Sequence, residues 1–223
     1  MDIIKYDLYR GPNVGVYAAA NDSVLLLPSG FAPEKADRLA GHLGVERRVN
    51  ASVANTRLLG TLLVMNNSGI MLPRTAFEDE YDMLKSETGL NVGVLDSKFT
   101  ALGNLVCAND RGAIASPWLS RGECDAISDT LGVEVMQGGI AGMYQTGSVM
   151  AANNAGAAVH PETDEEEMKA FANLLGVRGI EHASINNGIP YVASGMLANN
   201  NAIVVGSLTT GPEIMMLTRA FLG

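Results

Sequence analysis

Short apolar runs and polar turns alternate along the chain in one pattern that occurs five times. In the second copy, the apolar runs Leu62–Met65 and Gly69–Leu72 flank a turn that begins at Asn66. Apolar runs on either side of a turn rich in Asn and Gly indicate a β-hairpin, because both residues tolerate the positive φ of tight turns. The corresponding turns begin at Asn21, Asn66, Asn109, Asn153 and Asn199.

A glycine precedes each hairpin and sets the period of the repeat. These lead glycines are Gly15, Gly60, Gly103, Gly147 and Gly195. Their separations of 45, 43, 44 and 48 residues predict an array of supersecondary units rather than one irregular domain.

A helix is predicted after each hairpin. Its start is indicated by Ser or Thr followed three residues later by Glu, because this pair satisfies free backbone N–H groups. The pairs are Thr75 with Glu78, Ser120 with Glu123, Thr163 with Glu166, and Thr210 with Glu213. Glycine, which is favoured just past a helix C terminus, marks the ends at Gly44, Gly89, Gly132 and Gly176. A further apolar strand follows, so each unit consists of strand, strand, helix and strand.

The two ends of the chain predict a closed ring. The fifth copy has a hairpin and a helix but no third strand, whereas the chain begins with an unassigned strand at Asp2–Tyr6. If that strand completes the last unit, no sheet edge stays unpaired. We therefore predict an α/β fold, a five-fold pseudosymmetric α/β propeller of ββαβ-type repeats closed by the N-terminal strand. It forms a single domain, 1–223, with repeats at about 12–56, 57–99, 100–143, 144–191 and 192–223 plus strand 1–10.

Composition and charge narrow the possible functions. The 223 residues are 47% hydrophobic and 17% charged, as in a globular protein. The net charge is −9, and residues 113–223 contain 4 basic and 11 acidic residues, so a basic protein surface is favoured over nucleic-acid phosphates as the partner. No apolar run suffices for a membrane span and no cleavable leader is recognisable. With only two cysteines, a reduced, cytoplasmic protein is expected.

Residues suited to catalysis or metal binding are few and scattered. His42, His160 and His182 belong to different repeats, and none has metal-ligand spacing to a cysteine or another histidine. Cys107 has apolar neighbours, which favours a buried small hydrophobe over a nucleophile. We therefore expect no catalytic residue, no metal and no cofactor.

Several phrases within the repeats resemble one known family. They are Leu58-Leu59-Gly60-Thr61, Ala101-Leu102-Gly103-Asn104, Cys107-Ala108-Asn109-Asp110 and Gly156-Ala157-Ala158-Val159-His160-Pro161. In this order and spacing they are similar to translation initiation factor 6, the ribosome anti-association factors of archaea and eukaryotes. The resemblance extends from Met1 to Gly223. Since the sequence ends just after the last predicted helix, without the tail of eukaryotic members, the archaeal type is expected.

The resemblance implies a pentein fold and a function in translation. Members of the family bind the large (50S) ribosomal subunit on the face that meets the small (30S) subunit, and they prevent the two from associating. The main partner implied is a ribosomal protein near the sarcin–ricin loop, with adjacent rRNA as a further contact. A role in translation initiation and in maturation of the large subunit is implied, for a cytoplasmic protein that is monomeric when free.

The same resemblance implies which residues contact the ribosome. The docking surface of the family includes the Asn of the Leu-Gly-Asn phrase, here Asn104, and the position after Leu-Gly in the second repeat, here Thr61. Eukaryotic members usually carry Arg at the second position. Because this chain has Thr61 there instead, no charged contact is expected at that position. Arg57, Leu58 and Leu59 are the next candidates. Both leucines suit core packing equally well, and the alternative for Asn104 is a local turn role.

Two other functions stay open at this point. The pentein fold also includes guanidine-modifying hydrolases and transferases, which place a nucleophilic Cys in the last repeat with a His and carboxylates around the axis. The last repeat here, Gly195–Gly223, has no Cys, His or Asp, which disfavours a covalent thiol mechanism. The central channel of a propeller is a potential small-molecule site, although no residue identifies a ligand.

Overall fold

A computed structural model describes residues 1–223, which form five three-stranded sheets around a central axis. In each sheet the central strand pairs antiparallel with an inner strand and parallel with an outer strand. The inner strands are β2 (Ala19–Ala20), β5 (Val64–Met65), β8 (Val106–Ala108), β11 (Met150–Ala152) and β14 (Met196–Ala198). The central strands are β3 (Val24–Pro28), β6 (Gly69–Pro73), β9 (Gly112–Ala115), β12 (Gly156–Val159) and β15 (Ala202–Gly206). The outer strands are β4 (Arg47–Ala51), β7 (Asn91–Leu95), β10 (Glu134–Gln137), β13 (Gly179–His182) and β1 (Asp2–Tyr6).

Helices of two lengths connect these strands. Each long helix follows a central strand; the first four lead on to outer strands, whereas the fifth is the last element of the chain. They are α2 (Pro33–Leu43), α4 (Glu78–Thr88), α6 (Arg121–Leu131), α8 (Glu165–Leu175) and α9 (Gly211–Leu222). Each inner strand follows a single helical turn. These turns are α1 (Val14–Tyr17), α3 (Leu59–Leu62), α5 (Leu102–Leu105), α7 (Thr146–Val149) and the 3-10 helix Val192–Gly195. The strand, strand, helix, strand unit and the five-fold α/β propeller are confirmed.

The N-terminal strand closes the ring as predicted. β1 pairs parallel with β15, from Asp2 opposite Ala202 to Tyr6 opposite Gly206, and so completes the fifth sheet. Every sheet therefore has one inner, one central and one outer strand. Closure leaves no unit of the ring without its third strand, which removes the edge that an open stack would expose.

The hydrophobic core is divided among the junctions between neighbouring sheets. Each long helix packs against its own sheet and also against the sheet before it; α6, for example, contacts β10 of its own sheet and β7 of the preceding one. Leu95 of β7, Ala113 of β9 and Ile127 of α6 belong to one buried cluster. Because both faces of the central strands are covered, all residues of β3 and β6 are buried. This packing fixes the sheets relative to one another.

The segment around each lead glycine differs from the prediction. Leu62 belongs to α3 rather than to a strand, and the inner strand β5 has only two residues. A helical turn forms there because neighbouring turns approach one another through their backbones. A Cβ added to Gly60 would lie 1.9 Å from the carbonyl oxygen of Gly15. In the fifth repeat the equivalent residue is Ala193, not Gly195, which ends the 3-10 helix instead.

Two of the four predicted helix starts are displaced. Ser120 with Glu123 and Thr210 with Glu213 flank the starts as predicted. The third pair is Asp164 with Glu167, one residue later than expected, because an aspartate caps as well as a threonine. The second helix begins after Phe77, and its Glu80 accepts a hydrogen bond from the Phe77 backbone N–H at 3.0 Å. The predicted ends are confirmed, since Gly44, Gly89, Gly132 and Gly176 all have left-handed φ values between 59° and 69°.

Candidate functional site

The five helical turns meet around the axis at one end of the ring. The position of the absent Gly15 Cβ faces the carbonyl oxygen of Ala193, Gly103 faces that of Gly60, and Gly147 faces that of Gly103. Backbone therefore packs directly on backbone from turn to turn, an approach that the missing Cβ of these glycines permits. We call it the turn face, and define it as the five helical turns together with the loops that enter them and the loops at the start of the long helices.

The centre of the turn face carries no charge. Neither the five turns nor the residue before each of them contains Asp, Glu, Lys or Arg, although the chain as a whole has a net charge of −9. Thirteen large apolar side chains are exposed in the whole structure, and eight of them lie on the turn face. They are Tyr9, Leu58, Phe77, Trp118, Tyr144, Ile189, Tyr191 and Leu208. An uncharged centre with exposed aromatic side chains is the composition of a protein-interface core.

Aromatic side chains form two groups on this face. Trp118 stacks on Phe99 with ring centroids 5.7 Å apart, and Tyr144 meets Trp118 edge to face at the same distance. Tyr9 packs edge to face against Phe31, with centroids 5.7 Å apart. Such contacts hold large rings at the surface at little further cost in conformational entropy on binding.

Four of the five residues predicted to contact the ribosome are accessible on the turn face. Arg57 is exposed and its guanidinium lies 5.5 Å from the centroid of the Tyr9 ring. Leu58, the residue before α3, is 38% exposed. Thr61 in α3 and Asn104 in α5 are half-buried, on adjacent turns. Leu59 is different: it is fully buried in the cluster around β3 and β6, so its side chain belongs to the core and drops out of the contact set.

A carboxylate fixes the loop that carries Arg57 and Leu58. Glu80 of α4 accepts hydrogen bonds from Ser52 Oγ at 2.7 Å, from the Ala54 backbone N–H at 2.8 Å and from the Asn55 backbone N–H at 3.0 Å. Ala54 and Asn55 have φ values of 52° and 56°, a strained region for non-glycine residues. Burial acts to raise the pKa of Glu80, but its hydrogen bonds outweigh burial and the pKa is lowered. The charged carboxylate thus stabilises this turn.

Glutamates of two other long helices make the same kind of contact, in which a carboxylate accepts hydrogen bonds from the loop that follows the outer strand of the preceding sheet. Glu213 of α9 accepts from Ser184 Oγ and from the backbone N–H groups of Asn187 and Gly188, at 2.8, 3.1 and 2.8 Å. Glu167 of α8 accepts more weakly from the Ala141 backbone N–H, at 3.2 Å. Of these three glutamates only Glu213 was predicted as a helix cap, and for each of them the contact with the loop joins one sheet to the next. No sequence signal distinguishes this contact from a cap, because the contacted loop lies at a distant position in the chain.

The junction at ring closure lacks this carboxylate. The equivalent residue of α2 is Lys35, whose backbone carbonyl accepts a hydrogen bond from the Tyr6 hydroxyl at 2.9 Å. There the loop after β1 is held by aromatic packing of Tyr9 on Phe31 and Tyr17. The turn face next to Arg57 is therefore built differently from the other junctions.

The opposite end of the ring is closed by a polar hub. Each turn-initiating Asn is buried, and its side-chain amide donates to a backbone carbonyl of the next repeat, as Asn21 does to Asn66 at 3.0 Å. A second ring consists of Asp22, Asn67, Asp110, Asn154 and Asn200. In it, one side-chain oxygen of each residue accepts the backbone N–H of its counterpart in the preceding repeat, at 2.7 to 3.1 Å. The space left between these side chains is only about 40 Å³.

The channel between hub and turn face offers little to a polar ligand. Its cavity of about 140 Å³ is lined mostly by Gly, Ala, Val, Leu and Met. Every buried side-chain nitrogen or oxygen has a hydrogen-bond partner, so the channel contains no unsatisfied buried side-chain group for a polar ligand to pair with. The channel hypothesis gains no support from this lining.

Cys107, His160 and His182, the side chains of this region suited to covalent or metal chemistry, are each buried or hydrogen-bonded. Cys107 is buried, and burial raises the pKa of its thiol to about 12, which suppresses the thiolate. His160 Nδ1 accepts the Glu162 backbone N–H at 3.1 Å, and His182 Nε2 lies 2.7 Å from the Thr163 carbonyl oxygen. No group of three or more His, Cys, Asp or Glu side chains could hold a metal ion. None of the helices has the length and apolar character that crossing a bilayer requires.

Comparisons with known proteins agree on one family. The model of the eIF-6 family matches residues 3–220. Over 222 residues the chain is 69% identical to a translation initiation factor 6 from Nitrosopumilus maritimus, covering 100% of both chains. It is 62% identical over 223 residues to the protein of the same name from Cenarchaeum symbiosum, again with 100% of both covered. The factor from Staphylothermus marinus is 38% identical over 226 residues, with 100% of this chain and 99% of its own covered.

A solved structure shares the fold. A crystal structure of dimethylarginine dimethylaminohydrolase aligns with 76% of this chain and 68% of its own, at a TM-score of 0.50 and 14% sequence identity. At this identity the likeness concerns the fold alone, and it confirms the pentein class.

Proposed function

The chain belongs to the eIF-6 family, and we propose that it binds the large (50S) ribosomal subunit through the turn face and thereby prevents association with the small (30S) subunit. Its relatives are named translation initiation factors, which supports a role in translation initiation. We extend the proposal to maturation of the large subunit in the cytoplasm. In both settings the protein acts as a rigid block on the subunit interface, without a catalytic step, a metal or a cofactor.

One observation carries the proposal: the turn face combines an uncharged centre with exposed aromatic and aliphatic side chains on a rigid backbone ring. Surfaces of this composition lose little on desolvation and need no reorganisation on binding. Arg57, Leu58, Thr61 and Asn104 lie on this surface and form the proposed contact. Its partner is a ribosomal protein near the sarcin–ricin loop, together with adjacent rRNA.

Sucrose-gradient sedimentation tests the proposal directly. Purified large and small subunits are mixed with and without the protein at a magnesium concentration that supports joining. We expect the protein to migrate with the large subunit and the joined-ribosome peak to decrease. If the protein stays at the top of the gradient while subunits join normally, the proposal is wrong.

Asn104 gives a residue-level test. We expect Asn104→Lys or Asn104→Asp to weaken binding to large subunits, since either change introduces charge into the uncharged centre of the turn face. Asn173→Lys is the matched control, because Asn173 is exposed on α8, outside the turn face. Both variants should melt near the wild-type temperature. Unchanged affinity of the Asn104 variants would remove this residue from the contact.

An enzymatic function has less support. The proposal assigns no nucleophile, because the one cysteine near the channel, Cys107, has a buried thiol with a pKa of about 12. The distant structural neighbour is named a hydrolase, but its 14% identity carries no activity over to this chain. Absence of arginine-derivative turnover by the purified protein is the expected result.

A further inference from the structure

A groove lies on the turn face between the N-terminal ends of α8 and α9. It has a volume of about 260 Å³ and is lined by Pro161, His182, Ala183, Ser184, Pro212, Glu213 and Met216. Ala183 and Ser184 are the first residues of the loop that leads from β13 to the 3-10 helix, so the groove adjoins the loops that enter the helical turns. It lies in the fourth and fifth repeats, whereas the proposed contact residues Arg57 to Asn104 lie in the second and third.

The groove presents mainly carbon to solvent, although several of its residues are polar. Ser184 Oγ donates to a Glu213 carboxylate oxygen at 2.8 Å, so both groups are already paired. His182 Nε2 lies 2.7 Å from the carbonyl oxygen of Thr163 and donates to it. The walls that remain are the two proline rings, Ala183 and the Met216 side chain. An apolar side chain is therefore the group that fits this groove.

Other exposed apolar side chains lie on α9 and in the loop before it. Met215 is 60% exposed, Met216 is 39% exposed and Leu208 is 58% exposed. Methionine side chains adapt their shape to different partners, which suits a surface that binds an extended segment.

The surroundings of the groove are acidic. Residues 160–184 contain six acidic side chains and only two basic ones, Lys169 and Arg178. The acidic residues are Glu162, Asp164, Glu165, Glu166, Glu167 and Glu181. Glu162 directly follows Pro161, and Glu181 directly precedes His182, so each of these carboxylates belongs to a residue next in the chain to one that lines the groove. On the other wall, the Arg219 guanidinium of α9 lies 4.0 Å from the Met216 sulfur. The six carboxylates outnumber these three basic side chains, so the net charge around the groove repels phosphates and attracts ammonium and guanidinium groups.

We propose that the groove binds an apolar side chain from a lysine- or arginine-rich segment of a protein partner. The inference rests on the proposed function, because a component of the large subunit would present that segment. It assigns this part of the turn face to a ribosomal protein rather than to rRNA. Leucine or isoleucine flanked by basic residues is the sequence character expected of the segment.

Methionine oxidation tests whether the groove is covered in the complex. Large subunits with bound protein, and the free protein, are treated briefly with hydrogen peroxide, and each methionine is followed by mass spectrometry. Met1 is the internal control, because it is 38% exposed and lies at the hub, 3.6 Å from Asn153 Nδ2. We expect binding to slow the oxidation of Met215 and Met216 several-fold and to leave Met1 unchanged. If the protein co-sediments while Met215 and Met216 stay fully reactive, the groove is not a contact.

Peptide titrations test the class of partner separately from the ribosome. The probes are a short peptide of leucine flanked by lysines, the same peptide with serine for leucine, and an oligouridylate RNA. The protein carries isotope-labelled methionine methyl groups, and binding is followed by NMR. We expect the leucine peptide to shift the Met216 methyl signal and to bind about tenfold more tightly than the serine peptide. The RNA should leave that signal unchanged. Met216→Ser should abolish the difference, whereas Leu222→Ser, at the far end of α9 and 42% exposed, should not.

The two arms separate the proposals. Failure to co-sediment with large subunits overturns the proposed function, and the peptide titration then decides the groove by itself. Equal binding of the leucine and serine peptides, or a Met216 shift caused by RNA, overturns the groove proposal even when co-sedimentation succeeds.

Discussion

Replacing Glu213 by Gln tests how the ring is held together. The Glu213 carboxylate accepts hydrogen bonds on both oxygens: Oε1 from Ser184 Oγ and the Gly188 N–H, and Oε2 from the N–H groups of Asn187 and Thr210. A glutamine has the same size but only one acceptor oxygen. In either orientation its NH₂ group faces a backbone N–H, so donors oppose each other and at least one buried donor loses its partner.

The pKa shift of Glu213 gives the size of the expected loss in stability. Burial acts to raise this pKa, but the hydrogen bonds prevail and lower it from 4.5 to about 2. The side chain is only 6% exposed, so solvent screening is small. At about 1.4 kcal/mol per pKa unit, the charged form contributes roughly 3 kcal/mol at neutral pH. For a chain of this size that corresponds to a loss of about 6–12 °C in Tm.

The direction of the pKa shift determines how the stability contributed by Glu213 changes with pH. Because the folded-state pKa is lowered, the contribution of Glu213 is complete above pH 4.5 and is lost as the pH falls towards about 2. Thermal unfolding should therefore show a large gap between wild type and Glu213→Gln at pH 7 and a smaller gap at pH 3. Glu165→Gln is the control, since Glu165 is exposed in the first turn of α8. If Glu213→Gln melts like wild type at pH 7, or if the difference in Tm between the two proteins is constant with pH, the Glu213 carboxylate does not stabilise the ring in this way.

Three further predictions concern the scaffold. Gly60→Ala places a Cβ 1.9 Å from the Gly15 carbonyl oxygen and should lower the free energy of unfolding by about 3 kcal/mol or more in urea titrations. The control Gly41→Ala has no atom within 4 Å of the added Cβ, so it should raise the free energy of unfolding by about 0.5–1 kcal/mol. Asp110→Asn puts an amide donor against the amides of Asn67 and Asn154 and should cost about 1–3 kcal/mol in the same titrations, while the exposed-site change Asp125→Asn should cost little. Both cysteines are buried and Cys107 has a thiol pKa of about 12, so Ellman's reagent should label neither at pH 8 until urea unfolds the chain; rapid labelling under native conditions would contradict this burial.

The features predicted correctly from sequence are those determined locally. A glycine past a helix must adopt positive φ wherever that helix lies, so Gly44 and Gly132 could be identified without knowing the fold. Ring closure followed from counting strands, because a fifth unit without an outer strand and an N-terminal strand without a unit have one simple solution. The Asn turns were also legible, but their role in the hub was not, since Asn21 donates to a carbonyl 45 residues away.

The features that were missed depend on contacts between repeats. A helical turn of four residues is too short for any hydrophobic period, so α3 was read as part of a strand. Glu80 was not identified at all, because its helix begins after Phe77, a residue without a capping side chain. Leu58 and Leu59 are adjacent and chemically identical, yet one is 38% exposed and the other fully buried. Their difference arises from the direction in which the chain enters α3, which only the assembled ring determines.

Departures from five-fold repetition are expected at the proposed contact with a partner. The residues that hold the ring together recur, as the buried Asn does in all five repeats. The residues at the third position of the helical turns do not: they are Val16, Thr61, Asn104, Ser148 and Ser194. Their backbones are equivalent, so the ring itself does not require these differences in side chain. A partner without five-fold symmetry would require them, because it meets each turn with a different surface. Asn104→Ser therefore imports a side chain that the same scaffold already accommodates twice, and any loss of ribosome binding in that variant would come from the contact and not from the fold.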